Sequence, residues 1–520
     1  MGCRTLTTLN KEEAEAKDIA ILAKGGRTNV FGFLLRLAAR IPFLFIAGRI
    51  YGADALGRFA YAILVTEFTA QLATLGLTRG LAEKLARTKK DENHVVGDAL
   101  LLSLITASIG AVILSFLPIL MFRGAPVSFA DHWLFPWVVV PLVWADIALA
   151  ALAFYGDIAA SVKAQAIIEP WVLSISSVIF IWIAPHEGLL LSYVASAVAA
   201  LAASLYPLLK RFGWPHGWRP HIPTLFSLAR RNIPLAAADA IEWSSRRLDI
   251  VLLGLFFSSS VVGVYYVAQQ VASLVQKLKT SFDPILGPVI TRSLEAGDKA
   301  AVANQVRQVG FWIIAAQTGV TLALGLTSHG VMGLVGPRFA GGDGALCFLL
   351  VAEVVAATAV ISEAALIYIA PKTNMAISIA MLSLQAALSI PLISVLHKHL
   401  GHNPLPSDLA AAAGPALALA ISLGTGSILK SCLLRRLLKA PVSPWKWALL
   451  AAVIGAGAVG MVARQFPEWL ELSLGVIMIL VSYSSIIWYL GFSPEDRMLF
   501  KRQKMPDLAE PVMKADEEEA

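Results

Sequence analysis

Apolar residues run through the chain in long blocks, separated by short polar breaks. No charged residue interrupts 100–121 or 411–429. A helix of ~20 apolar residues rises 1.5 Å per residue and matches a hydrocarbon core of ~30 Å. A membrane β-strand would instead alternate apolar and polar positions over only ~10 residues. The pattern predicts about fourteen transmembrane helices, at roughly 29–51, 55–79, 97–121, 131–154, 165–184, 188–209, 234–257, 260–284, 307–328, 343–370, 373–396, 407–430, 444–463 and 468–491. Two of the breaks are very tight, Gly52-Ala53-Asp54 and Ser258-Ser259-Ser260.

Composition excludes a soluble domain. Of the 520 residues 57% are hydrophobic and only 15% charged, against a usual ~25% charged in soluble domains. The opening residues are polar, with Lys11, Glu12, Glu13, Glu15, Lys17 and Asp18, and no secretory signal peptide is expected. The three cysteines, Cys3, Cys347 and Cys432, are scattered and suggest neither a disulfide framework nor a metal site. The net charge of +7 acquires meaning once the helices are threaded with the N-terminus inside. Inward segments then hold about 30 Lys and Arg, and outward ones about 6, an imbalance that fixes orientation. The basic clusters around Arg79–Lys90, Lys210–Arg231 and Lys430–Lys446 read as topology signals rather than nucleic-acid contacts, and both termini are expected in the cytoplasm.

An internal repeat organises the helices. Residues 49–62 align with 255–268 at an offset of 206, which pairs Gly57 with Gly263 and Arg40 with Arg246. Six helices separate the copies, so both point the same way through the membrane. The chain therefore divides into a cytoplasmic segment (1–28), a six-helix lobe (29–209), a basic aromatic linker (210–233), a second, parallel six-helix lobe (234–440), a final helix pair (441–491) and an acidic tail (492–520). The linker, with Phe212, Trp214, Trp218 and Phe226, is expected along the inner membrane surface. Repeats of this kind build secondary transporters, with the substrate site between the repeats near mid-membrane.

Charges inside the predicted spans are the candidate chemistry. Arg36 and Arg40 share a face of the first helix. The seventh helix carries Asp239, Glu242, Arg246, Arg247 and Asp249; in an unbroken helix 239, 242, 246 and 249 fall within about an 80° arc. An arginine at the bilayer centre costs about 2.5–3.5 kcal/mol, so these side chains must face a protein interior or a wet cavity. Arginine binds phosphate through two oxygens at once, and Arg36, Arg40, Arg246 and Arg247 are the candidate diphosphate patch. Alternatively, Glu242 or Asp249 neutralises Arg246 and the pair staples the lobes. Asp239, Glu242, Asp249, Glu353 and Glu363, with Asp146 and Glu169, are candidates for carrying a coupling H+ or Na+ or for charge pairing. Tyr61, Gln71, Tyr265 and Gln269, with Glu67, Tyr266 and Gln270 beside them, are candidate sugar contacts or packing residues. The chain has no Walker loop, HExxH or GxSxG, so no enzyme activity and no cofactor is expected.

Three stretches carry a resemblance: Arg49-Ile50-Tyr51-Gly52-Ala53-Asp54-Ala55-Leu56-Gly57-Arg58-Phe59 within 25–87, Leu248–Gly254 followed by Val262-Gly263-Val264-Tyr265-Tyr266-Val267-Ala268, and Gly330–Ala340. Over roughly 25–440 the chain resembles the polysaccharide-repeat (O-antigen type) flippases of the multidrug/oligosaccharidyl-lipid/polysaccharide exporter superfamily. The resemblance implies a V-shaped, all-α membrane protein of two six-helix lobes plus two C-terminal helices. It implies alternating access that moves a polyprenyl-diphosphate-linked oligosaccharide across the bacterial inner membrane, for O-antigen, lipopolysaccharide or exopolysaccharide synthesis. The diphosphate would meet the arginines. Membrane lipids, a polysaccharide polymerase and glycosyltransferases are the partners such a role implies. A peptidoglycan-precursor flippase and a cation-coupled multidrug exporter are the alternatives within the superfamily; acids rather than arginines would dominate the cavity of the exporter. Outside transport, a membrane scaffold for polysaccharide enzymes would carry paired, dispensable arginines.

Overall fold

The computed structural model describes residues 41–87, 92–122, 128–155, 157–214, 217–245, 247–280, 290, 293–294, 296–400, 407–493 and 497. Arg36, Arg40, Arg246, segment 1–28 and nearly all of the acidic tail lie outside them. All regular structure among the described residues is helical. In chain order, α1 is 41–51, α2 Gly52–Ala73, α3 Leu77–Arg87, α4 Glu92–Phe116, α5 Ala130–Phe154, α6 Ala159–Ile183, α7 Gly188–Phe212, α8 Ile222–Ser245 and α9 Leu248–Phe256. They are followed by α10 Ser259–Thr280, α11 Lys299–Leu326, α12 Ser328–Val335, α13 Asp343–Ile369, α14 Pro371–Leu400, α15 Ser407–Leu438, α16 Trp447–Ala463 and α17 Glu468–Gly491.

The protein is a multi-pass membrane protein. Ten helical runs among the described residues are long and apolar enough to cross a bilayer. Each of the fourteen expected segments is largely helical over its described residues, but that criterion does not reach fourteen. The run Ile41–Ala82 holds two of them, α16 is a shorter apolar helix, the segment at 234–257 is broken, and α10 ends in a polar stretch with Gln276, Lys277 and Lys279.

Hydroxyls inside the apolar helices bond back to their own backbone, which satisfies them without water. Thr66 donates to Ala62 O at 3.1 Å, Ser174 to Pro170 O at 2.8 Å and Ser204 to Ala200 O at 2.7 Å. Gly52, with φ +82°, lets the chain reverse between α1 and α2.

The repeat is visible as a reciprocal contact. A Cβ on Gly57 would collide with the Ser259 carbonyl oxygen, and one on Gly263 with the Ala53 carbonyl oxygen. Residues 57 and 263, and residues 53 and 259, are both related by the offset of 206. A contact in which i meets j′ and j meets i′ is the signature of a local two-fold axis, here between α2 and α10. Glycine at both positions lets the two backbones touch.

The hydrophobic interior forms two clusters. The larger runs through α1–α10 and continues into α12, α13 and α15, so the two halves share one core where they cross. The second joins α11, α13 and α15 to the final pair, α16 and α17. The linker does not lie free. Trp218 donates from its indole to Asp98 Oδ1 on α4 at 3.0 Å, and its ring covers Gly97. From Ile222 the chain is already helical and passes through Pro234 without a break to Ser245.

Candidate functional site

A cavity of about 500 Å³ opens between the two halves. From the first half it is lined by Glu67, Gln71, Asp146, Gln165, Glu169 and Tyr193; from the second by Trp243, Gln270, Ser273 and Lys277; apolar residues such as Phe45, Leu142 and Val335 complete it. Polar groups converge here because the helices present them on their inward faces, while their outer faces carry exposed Ile, Val, Phe and Trp toward lipid.

One arginine is placed at this seam by a break in the helix. The expected span at 234–257 is not one helix: α8 ends at Ser245, α9 begins at Leu248, and Arg247 between them has φ −127° and ψ 0°. The single unbroken helix on which the arc of 239, 242, 246 and 249 was reckoned is interrupted here, so Asp239 and Asp249 lie on separate helices, α8 and α9. At the break Arg247 reaches across to the first half. Its Nη2 lies 3.3 Å from Glu67 Oε2 on α2, and its guanidinium sits 5.4 Å from the centre of the Trp243 ring. The other Glu67 oxygen accepts from the Tyr193 hydroxyl at 3.3 Å. A carboxylate thus already fills the position of an anionic ligand at this arginine.

The remaining predicted residues are distributed as follows. Asp146 accepts from Gln165 at 3.0 Å on the cavity wall. Glu169 begins the regular helix after a π turn at Val162–Ile168 and also lines the cavity. Asp249 is fully buried and accepts from Tyr265 at 2.6 Å and Gln269 at 3.3 Å. Those two side chains, candidates for sugar contact or for packing, are turned to Asp249. Gln71 does line the cavity, whereas the ring of Tyr61 packs over Gly254. Asp239 pairs with Arg79 of α3 at 3.1 Å, a second bridge between the halves. Glu363 pairs with Lys430 at 3.0 Å within the second half, and Glu353 lies half-buried on α13, outside the cavity lining. The side chain of Glu242 lies outside the described residues.

Pattern reading underrated several groups. Glu67 is a lone acid in an apolar span, and its arginine partner is 180 positions away in sequence. Arg79 and Lys430 read as inner-surface charges, yet each is committed to a specific carboxylate. Lys277 was grouped with no site and stands in the cavity wall. No group of three or more His, Cys, Asp or Glu placed to hold a metal occurs among the described residues.

A family profile described as "Polysaccharide biosynthesis protein" matches residues 45–315, more than half of the chain and across both sides of the cavity. The chain belongs to this polysaccharide biosynthesis family. No curated protein matches it. Among solved structures it is similar to an inward-facing multidrug-resistance MATE-family transporter of the MOP superfamily, at 14% identity, covering 78% of this chain and 99% of that one, with a TM-score of 0.60. It is similar to the lipid II flippase MurJ in an inward closed conformation, at 12% identity over 88% and 99% of the two chains, with a TM-score of 0.59. A third similar structure is a MOP-superfamily transporter from Pyrococcus furiosus, described as having a binding pocket of reversed polarity (14% identity, 82% and 96% covered, TM-score 0.54). This member of the polysaccharide biosynthesis family thus has the MOP fold.

Proposed function

We propose that this protein flips a polyprenyl-diphosphate-linked oligosaccharide across the bacterial inner membrane by alternating access. The observation that carries the reading is the Arg247–Glu67 bridge on a polar cavity between the halves. An arginine already bound to an anionic group has the planar, two-donor geometry a diphosphate needs. The incoming diphosphate exchanges with the Glu67 carboxylate, and that exchange unfastens one half from the other. Arg36, Arg40 and Arg246 complete the patch in this proposal. Gln71, Gln270 and Tyr193 offer hydrogen bonds to the sugars.

In the proposed orientation both termini face the cytoplasm, so the Gly57–Gly263 crossing seals the outer side and the cavity takes its substrate from the inner leaflet. Energy comes from an H+ or Na+ gradient through the cavity acids, or from consumption of the product by a polymerase and glycosyltransferases on the outer side. A second reading, a cation-coupled exporter, is favoured by one observation: Glu67, Asp146 and Glu169 make the described wall of the first half acidic.

The two readings separate in proteoliposomes given a fluorescent polyprenyl-diphosphate sugar. The flippase reading expects translocation by the wild type and loss of it in Arg247→Ala. Failure to move the lipid, with export of a cationic dye under an ion gradient, overturns it in favour of the exporter.

A further inference from the structure

Away from the cavity, the second half contains a buried cation that transport does not explain. Lys430 on α15 is only 2% exposed. Its ammonium donates to Glu363 Oε2 on α13 at 3.0 Å and to Ser378 Oγ on α14 at 3.1 Å. The second Glu363 oxygen accepts from Asn374 Nδ2 at 3.3 Å. Asn374 lies one turn before Ser378 on α14, is itself buried, and its Oδ1 has no hydrogen-bond partner.

Two helices, α13 and α14, therefore supply a carboxylate and a hydroxyl to an ammonium tethered on the third, α15, with an unsatisfied amide oxygen of α14 on the side chain that holds the carboxylate. Hard oxygen donors of this kind are what small hard cations take as ligands. The position also matters mechanically. α14 packs chiefly on α15, with Gly414 and Gly426 at the contact, and little of it is covered by protein. The ammonium is one polar group that reaches from α15 to both α13 and α14.

We propose that Lys430 is a built-in cation occupying an oxygen-donor site that a free monovalent cation fills once the lysine is removed, so that this three-helix group is held without an ion from solution. The side chain supplies one positive charge to Glu363 at no cost in binding entropy. Without it the Glu363 carboxylate, about one-third exposed, loses its counter-ion, which is destabilising. A Lys→Ala truncation leaves room for a sodium ion and water among the same oxygens.

The test is thermal unfolding of detergent-purified protein in sodium, potassium and choline chloride at equal ionic strength. Choline is too large for the site and holds ionic strength constant. Wild type is expected to melt at the same temperature in all three salts. Lys430→Ala is expected to melt about 5 °C or more lower in choline and to recover in sodium, a shift set by occupancy of the site. Recovery is expected to vanish in Lys430→Ala with Glu363→Gln, which removes the central carboxylate. Equal melting of Lys430→Ala in all three salts overturns the proposal, as does a wild type already stabilised by sodium. If Lys430→Ala folds poorly, purification in sodium throughout is expected to rescue it. Rescue only by the neutral double variant, whatever the salt, also overturns the proposal. None of these outcomes depends on which substrate the cavity takes.

Discussion

The two halves meet in two chemically different ways. At the end carrying Gly52 and Ser258, α2 and α10 cross backbone on backbone, with Gly57 and Gly263 in reciprocal contact with carbonyl oxygens. Toward the other end, the halves are joined by charges: Arg247 to Glu67 and Arg79 to Asp239. A backbone crossing has no ligand-exchangeable group; it separates only as a unit, and its strength depends on close fit. A charge bridge can be replaced by any competing ion, by a proton, or by water. A competing ligand or ion therefore has purchase on the second seam and none on the first. A ligand shifts a two-state equilibrium only through groups it contacts differently in the two states.

The sharpest way to break the comparison is to spoil the crossing. Gly57→Leu or Gly263→Leu forces a side chain against a neighbouring main-chain carbonyl, which has no rotamer to give way. The cost exceeds the ~1–3 kcal/mol typical of overpacking among side chains. We expect loss of the folded monodisperse protein, or a large fall in melting temperature, read by size exclusion and thermal unfolding. Near-normal melting in both variants would show that the crossing is looser than its geometry implies. Next in size is the central bridge. Arg247 and Glu67 are each about one-third exposed, so breaking the pair costs only about 1 kcal/mol of stability. Translocation is expected to respond differently: Arg247→Ala lowers the rate ten-fold or more, whereas Glu67→Gln leaves the arginine in place and retains activity. A double-mutant cycle on rates checks this; equal losses in both single variants would mean that the pair acts only as a staple.

The sequence showed the membrane class, the helix positions and the repeat because those depend on local apolar runs and on a fixed offset. The repeat even identified Gly57 and Gly263 as equivalent, though not that they touch. The broken helix was illegible, since Arg246-Arg247 within an apolar run reads equally well as a helix face. Pairing was illegible too, because Glu67–Arg247, Arg79–Asp239 and Glu363–Lys430 join residues far apart in sequence. The positive-inside pattern accounted for Arg79 and Lys430 so well that it hid their second role. Asp249 shows the converse. It was legible as a buried acid, a candidate for coupling or for charge pairing, but its hydrogen-bond partners Tyr265 and Gln269 were not.

The smallest expected effect gives the finest test of the contrast between the seams. Arg79 is mostly exposed while Asp239 is buried, so the bridge lies at the edge of the water-accessible zone. An exposed pair is worth ~0.2–1 kcal/mol and weakens as salt shortens the Debye length from about 10 Å at 0.1 M to 3 Å at 1 M. Arg79→Ala should lower the melting temperature by only about 2–4 °C, and the difference from wild type should shrink in high salt. The central pair lies at the cavity between the halves, with protein on both sides, where screening ions have less access, so the difference between Arg247→Ala and wild type should change less over the same range. Melting curves of the two variants and wild type across a salt series read this directly. If both differences shrink alike, the cavity is as wet as the surface. If neither does, Asp239 is held in a closed site, and the Arg79 bridge belongs with the buried pairs instead of with a seam that opens.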